Sequence, residues 1–316
     1  MNVAKGARND VDGVLLLNKP RGISSQQAVA RAKRLFAARK AGHTGTLDPM
    51  ADGLLPIGFG EATKFAQFLL DSDKQYLAIL QLGATTNTGD AEGEILERHP
   101  VGVSVDAIDA VLRRFTGPQV QTPPMHSAVK VDGKPLYAYA RAGLAVERKA
   151  REICIHFMQL VDFSNKLLKI RVSCSKGTYI RVLAEEIGAA LGCGAHLCGL
   201  TRETAGDLGL GGAVSIAELE AMDMSQRMAR LLATDTFASS LPRLMTDAGV
   251  QQRLISGQRV PLPEAAPGLY RLYGDTDTFF GVGEVAEGIL RARRLLIQSR
   301  EPAPSPDGLS NPQVTG

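Results

Sequence analysis

Three groups of residues in this sequence are of a type and spacing that could do chemistry. The first is a carboxylate, Asp48, set before Pro49 in a glycine-rich stretch from Gly42 to Gly60 that also holds His43 and Pro56. Taken alone, Asp-Pro is a turn former, so Asp48 needs support from elsewhere in the chain before it counts as a reactive group. The second is Cys193, His196 and Cys198. Their C-x-x-H-x-C spacing supplies three ligands with no fourth nearby, where structural zinc sites take four; a packed helix end is expected, and no metal. The third is a pair of glycine motifs. Gly281-Val-Gly283-Glu-Val-Ala286 matches the dinucleotide fingerprint, which must open a helix in a βαβ unit with an acid about 20 residues later. Too little chain remains for that, and two turns of a β module are expected there. Gly58-Phe-Gly60 with Lys64 lacks the phosphate-loop spacing, and no G-x-S-x-G elbow occurs.

The elements around these residues can be read from hydrophobic period and punctuation. Gly13–Leu17 reads as a buried strand. Ser24 with Gln27 three residues on is a capping-box pattern that opens a helix to about Ala38. Gly42–Gly60 is expected to be a shaped loop with short elements rather than a long helix or strand. Tyr76–Leu82 reads as a strand and Val105–Arg114 as an amphipathic helix stopped by Gly117-Pro118. Gln121–Gly133 reads as a proline-containing loop, followed by a short helix at Leu136–Ala142. Ile153–Phe163 and Lys166–Ser175 form a hairpin pattern around Ser164-Asn165. Tyr179–Leu191 reads as a helix with Gly192 as its stop. Beyond Leu241-Pro242 the texture changes to short apolar runs, at Arg253–Val260, Gly268–Tyr273, Phe279–Val285 and Ile289–Leu296, as in a small all-β module. Residues 301–316 hold four prolines and no periodicity, and a disordered tail is expected.

Composition narrows the class. The chain has 316 residues, 44% hydrophobic and 22% charged, which is ordinary for a globular protein. No apolar run approaches the roughly 20 residues that cross a bilayer, and the polar N-terminus lacks the apolar core of a secretory signal. Four cysteines in so long a chain do not make a disulfide framework. A membrane protein, a disulfide scaffold and a wholly disordered chain are excluded, leaving a reduced cytoplasmic enzyme as the default. Charge is uneven. Residues 1–70 carry ten basic and five acidic groups, a local +5 against +3 for the whole chain. Further basic clusters lie at Arg148, Lys149 and Arg151 and at Arg291, Arg293 and Arg294. Such patches fit a phosphate backbone, whose condensed counterions they displace.

Six blocks give Asp48 its context. They are Leu17-Asn18-Lys19-Pro20-Arg21-Gly22-Ile23-Ser24-Ser25, Gly42 to Leu55, Lys74-Gln75-Tyr76, Pro123-Pro124-Met125-His126-Ser127-Ala128-Val129-Lys130, Cys174 to Arg181, and Gly194-Ala195-His196-Leu197 with Leu200-Thr201-Arg202. In this order they resemble the TruB-type tRNA pseudouridine synthases over residues 14–210. His126 stands where many members have Tyr, and Thr201 where an Arg is usual. The resemblance implies an α+β catalytic domain on a mixed, largely antiparallel sheet (1–240), with an RNA-gripping insertion at 121–152. A small PUA-like β-barrel domain (241–300) would follow.

It also implies roles. Conversion of uridine to its C-linked isomer breaks the N-glycosidic bond, turns the uracil and rejoins it through carbon. Nothing is oxidised and no group is transferred to another molecule, so no cofactor is expected. One carboxylate can suffice, acting either on the sugar carbon or on the pyrimidine ring; by resemblance it is Asp48. A free aspartate titrates near pH 3.9, and burial raises that value unless a cation opposes it. By resemblance the cation is Arg181. Tyr76 is implied to stack on the target base and to assist proton removal at C5, with Tyr179 and the backbone around Leu200 lining the same pocket. His43 would fill the space left by the extruded nucleotide. Lys130 and its basic neighbours Lys134, Arg141, Arg148, Lys149 and Arg151 suit the insertion's grip on RNA. The expected partner is the T-arm stem-loop of tRNA, with no membrane, no required protein partner and a monomer as the default. A non-catalytic RNA-binding protein or folding chaperone, and a related synthase with another RNA target or a guide RNA, remain the alternatives.

Overall fold

A computed structural model describes residues 9–296. The first unit ends at Leu241 and the second begins at Pro242.

The first unit opens with β1 (Gly13–Lys19), α1 (Ser25–Leu35), β2 (Ala41–His43) and β3 (Asp52–Phe59). It continues through α2 (Ala66–Leu70), β4 (Lys74–Leu82), β5 (Ala84–Thr86), β6 (Ile95–Arg98), α3 (Val105–Arg114) and β7 (Gly117–Gln121). Next come β8 (Lys130–Val131), β9 (Lys134–Pro135), α4 (Leu136–Arg141), β10 (Arg151–Ser164), β11 (Leu167–Cys174) and α5 (Ile180–Ala190). The unit closes with β12 (Ala195–Ala205), β13 (Leu208–Gly209), β14 (Val214–Ser215), α6 (Ile216–Ala221) and α7 (Met224–Met228). One sheet runs β14-β1-β3-β12-β4-β11-β10-β7, with β2 added to β3 and β13 to β12. Only β1–β14 and β12–β3 pair in parallel, so the expected mixed, largely antiparallel sheet is present. Its core is mostly aliphatic, with Leu15, Leu17, Ile57, Leu80, Val172 and Ile187 all fully buried.

Several local expectations hold. Ser24 caps α1 with the full capping box to Gln27. α3 begins and ends at the predicted residues, its Ser104 hydroxyl accepting from the Ala107 N–H. Gly192, at φ +75, stops α5 in the left-handed region that glycine enters without strain.

The glycine-rich stretch departs from its reading as a loop of short elements. Its second half is β3, eight residues long and almost wholly buried despite Pro56. The topology explains the tolerance. β12 pairs with β3 only at Asp52 and Gly53, and β2 only from Ile57 to Phe59. The Pro56 carbonyl accepts the Thr44 N–H, so the missing N–H of Pro56 faces the same gap between β12 and β2, where no ladder bond is lost.

The second unit has a curled sheet ordered β15-β17-β18-β19-β16, formed by β15 (Arg243–Met245), β16 (Val260–Pro261), β17 (Gly268–Tyr273), β18 (Phe279–Ala286) and β19 (Ile289–Leu295). It is PUA-like, around Leu272, Phe280, Val285 and Leu290. Two expectations fail here. The run at Arg253–Val260 is not a strand: its first part belongs to helix α8 (Ala248–Ile255), which Asp247 caps by accepting from the Val250 N–H. Only Leu254 of that helix is buried, so its period was too sparse to read. The Gly281/Gly283 motif is not two turns but the middle of β18. A Cβ on Gly281 would lie 2.4 Å from the Arg294 carbonyl oxygen, so the glycine is required by close approach of β19. The expected tail at 301–316 lies outside the described residues.

Candidate active site

The loop carrying Asp48 runs between β2 and β3 and is fastened from three directions. The Ser25 hydroxyl, in the first turn of α1, accepts from the Leu47 N–H at 2.7 Å and donates to the Leu47 carbonyl at 2.9 Å. The Gly22 N–H donates to the Pro49 carbonyl at 2.8 Å, and Arg21 Nε to that of Met50 at 2.9 Å. From β12, Arg202 donates to the carbonyls of Gly45 at 3.1 Å and Leu54 at 2.7 Å. Arg202 and Ser25 are each 1% exposed, so these bonds work away from water. Leu47, Met50 and Ala51 anchor the loop in the core. The result is a backbone turn, closed by Ala51 N–H to the Asp48 carbonyl, that holds one carboxylate outward.

That carboxylate meets Arg181. Arg181 Nε lies 3.0 Å from Asp48 Oδ2, and the guanidinium is 5% exposed. Its other two nitrogens are also engaged. Nη1 lies 3.5 Å from Asp90 Oδ2 and donates to the Thr88 carbonyl at 3.2 Å; Nη2 donates to the His126 carbonyl at 2.7 Å. Asp90, 4% exposed, is itself held by the Thr88 hydroxyl at 2.7 Å and the Glu92 N–H at 3.1 Å. A planar, always-charged fork gripped this way has one orientation. Burial pushes the Asp48 carboxyl above its ordinary range; Arg181 opposes the shift, and Asp90 adds to it.

The two groups open into a pocket of ≈ 360 Å³ whose lining includes Tyr76, Tyr179 and Leu200. Tyr76 comes from β4, where its neighbours are Arg202 on β12 and Val172 on β11. Burial raises its phenol, with Arg202 pulling the other way, so the hydroxyl keeps its proton at neutral pH. Tyr179 is the residue before α5. Its N–H donates to Gln121 Oε1 at 2.7 Å, and its carbonyl accepts from Gln121 Nε2 at 3.2 Å. The buried amide of Gln121 thus fixes the backbone two residues before Arg181. Lys74 also lines the pocket. Its ammonium donates to the carbonyls of Leu69, Leu70 and Ser72, and burial lowers it to about 8.

The structure therefore gathers Asp48, Tyr76, Tyr179, Arg181 and Leu200 from four distant parts of the chain. His43 and Lys130 are not in the lining. His43 ends β2, and its Nδ1 is buried without a hydrogen-bond partner. Burial and Arg202 push its imidazole down, so it is neutral. Lys130 is exposed on β8. Asp90, Ser25, Gln121 and the buried role of Arg202 were not foreseen. The Thr88-Gly89-Asp90 turn carried the only local signal, that of a loop. The expected packed helix end holds for Cys193, which is buried just past α5 with its N–H donating to the Gly188 carbonyl at 3.2 Å, but not for His196 and Cys198, which lie in β12 with His196 Nδ1 2.9 Å from the Ala84 carbonyl and Cys198 Sγ 3.3 Å from that of Ile79.

Residues 33–180 match the TruB family pseudouridylate synthase N-terminal domain, and 242–296 the pseudouridine synthase II TruB C-terminal domain. The chain is 52% identical over 299 residues to a tRNA pseudouridine synthase B of Cupriavidus metallidurans, spanning 92% of this chain and 95% of the relative. The chain belongs to the TruB family of pseudouridine synthases. A second TruB relative, the tRNA pseudouridine synthase B of Dechloromonas aromatica, is 50% identical over 294 residues, 93% of this chain and 98% of its own. Among solved structures, a chain of a Cbf5-Nop10-Gar1 complex superposes with TM-score 0.66 at 26% identity, over 86% of this chain and 78% of that one. A chain from an H/ACA RNP bound to a substrate RNA shares the fold at TM-score 0.68 and 23% identity, over 90% and 85%. No described helix of this TruB-family chain is long and apolar enough to cross a membrane.

Proposed function

We propose that this TruB-family enzyme converts a uridine in the T-arm loop of tRNA, at nucleotide 55 in tRNA numbering, to pseudouridine, with Asp48 as the nucleophile. The observation that carries the proposal is the Asp48–Arg181 pair at 3.0 Å in a pocket walled by two tyrosines. The pocket admits one flipped nucleotide, which leaves its stack at a cost of a few kcal/mol and regains part of it against aromatic side chains. Arg181 favours the ionised Asp48 that attack requires, and its own acids keep it from swinging onto the RNA. Tyr76 presents a protonated phenol beside the uracil, and Leu200 contributes backbone at the wall. His43 takes the gap in the RNA, and Lys130 binds its backbone. The names of the curated relatives support tRNA as substrate. Residues 1–240 form the catalytic domain and 241–300 a PUA-like RNA-binding domain. The chain acts as a monomer in the cytoplasm, without a protein partner or cofactor.

The test is tritium release from a T-arm stem-loop carrying [5-³H]uridine, with the purified chain and its Asp48→Ala variant. Release by the wild type and none by the variant, with RNA binding retained, is expected. Tight binding without release by either protein would overturn the proposal in favour of a chaperone.

A further inference from the structure

Resting on the reading of the substrate as RNA, we propose that Tyr137 and Arg141 form a stacking platform for an unpaired base next to the target nucleotide. Both lie on α4, one turn apart, with the Arg141 guanidinium carbon 5.5 Å from the Tyr137 ring centroid. Tyr137 is 43% exposed, the one exposed tyrosine among the described residues. Its neighbour Tyr139 shows the alternative fate of a tyrosine on this helix: its hydroxyl donates to the Val131 carbonyl at 3.1 Å, and it is half-buried. Leu136, 1% exposed, is the helix's anchor, so Tyr137 is not needed to hold α4 down.

Its surroundings specify the ligand. Residues 121–152 carry six basic and three acidic side chains, so this short segment alone matches the +3 of the whole chain. All six basic residues are exposed. A polyanion is attracted there, and an aromatic face with a cation alongside offers it a π surface that any base can use. Position specifies which part of the RNA. The Tyr137 N–H donates to the Ser127 carbonyl at 3.1 Å, and the Leu136 N–H to that of Val129 at 2.7 Å. Ser127 and Val129 line the pocket. The platform is thus built onto the pocket's own wall, within reach of a base that neighbours the one flipped inside.

The experiment measures the affinity of the full chain for the T-arm stem-loop across a salt series, with tritium release alongside. Base stacking is worth ~1–3 kcal/mol per base, about five- to 150-fold in affinity. Tyr137→Ala is expected to weaken binding by such a factor with an unchanged log–log salt slope and unchanged turnover at saturating RNA. Tyr137→Phe should bind within about twofold of wild type. Arg141→Ala should weaken binding and lower the salt slope by about one. Stem-loops abasic at single unpaired positions beside the target locate the stacked base: at one of them the Tyr137→Ala penalty should vanish. Wild-type affinity in Tyr137→Ala, an equal loss in Tyr137→Phe, or a penalty that persists at every abasic position would each overturn the platform. Absence of tritium release by the wild type would instead overturn the functional reading beneath it.

Discussion

The two walls of the pocket are held by different kinds of bond. On the Asp48 wall the contacts tie the loop to separate elements, α1, β12 and α5: Ser25 with Leu47, Arg202 with Gly45 and Leu54, Arg181 with Asp48 and, beyond the loop, Asp90. On the insertion wall they stay within one segment, residues 121–152. Tyr137 bonds Ser127, Tyr139 bonds Val131, and Arg148 donates to the Pro123 carbonyl. The first wall is buried and the second is exposed and charged. A reacting carboxylate must be placed to a fraction of an ångström, which takes groups with a single arrangement. A surface that grips a deformable polyanion needs reach and charge, which exposed hairpins and short helices supply.

The sharpest way to break this contrast is at the proposed nucleophile. Asp48→Ala should lower turnover by at least about 10³-fold while RNA affinity stays near wild type, as checked by single-turnover kinetics and filter binding. Next is the second acid. Asp90→Asn keeps the shape but removes the charge that orients Arg181, and turnover should fall roughly 10- to 100-fold at unchanged affinity. A comparable loss of affinity would mean that Asp90 shapes the RNA surface instead.

The pH profile follows the same pair. The Asp48 carboxyl is raised by burial and lowered by Arg181, and in the proposed reaction only its ionised form attacks. Turnover should therefore fall with acid on a limb that lies above the ordinary carboxylate range. In Arg181→Met the lowering contribution is lost, so the limb should move to higher pH. A limb that stays in place would show that another group titrates.

Smaller effects separate the walls by stability and salt. Ser25→Ala leaves the buried Leu47 N–H and carbonyl without their partner and should cost about 1–3 kcal/mol in urea unfolding. Charge reversal at Lys130 and Lys149, both exposed, should leave stability within about 0.5 kcal/mol of wild type. It should weaken RNA binding and flatten its salt dependence. An unchanged salt slope would take those lysines out of the interface.

Much of the make-up of the Asp48 wall was legible because its residues sit in dense local motifs. Asp48 in its Gly/Pro loop, Tyr76 at a strand start and Arg181 after Tyr179 could each be named from their blocks. The helix capped by Ser24 was legible because a capping box is a four-residue pattern. What stayed hidden depends on register and topology. Pro56 reads as a breaker until the sheet shows a gap on its N–H side. Asp90 reads as a turn residue because its partner, Arg181, comes 91 positions later and on another element. α8 was missed because a helix burying one residue has no apolar stripe to read.

The root of the insertion has a consequence for how such enzymes can vary. Gln121 and Arg151 are register partners across β7 and β10, so the insertion leaves and re-enters the sheet one ladder step apart. Gln121 is also the residue whose amide clamps Tyr179. The ends of the excursion are thus pinned by the sheet itself, and closing a longer loop costs only slowly growing entropy. Between Val129, the last pocket-lining residue of the segment, and Arg151, no residue is among the ion-pair or hydrogen-bond partners of Arg181, so changes there that keep the Leu136 and Tyr137 backbone bonds should leave the Asp48–Arg181 pair in place. That stretch is a portable module: exchanging it should retune which RNAs are held while the chemistry stays as it is.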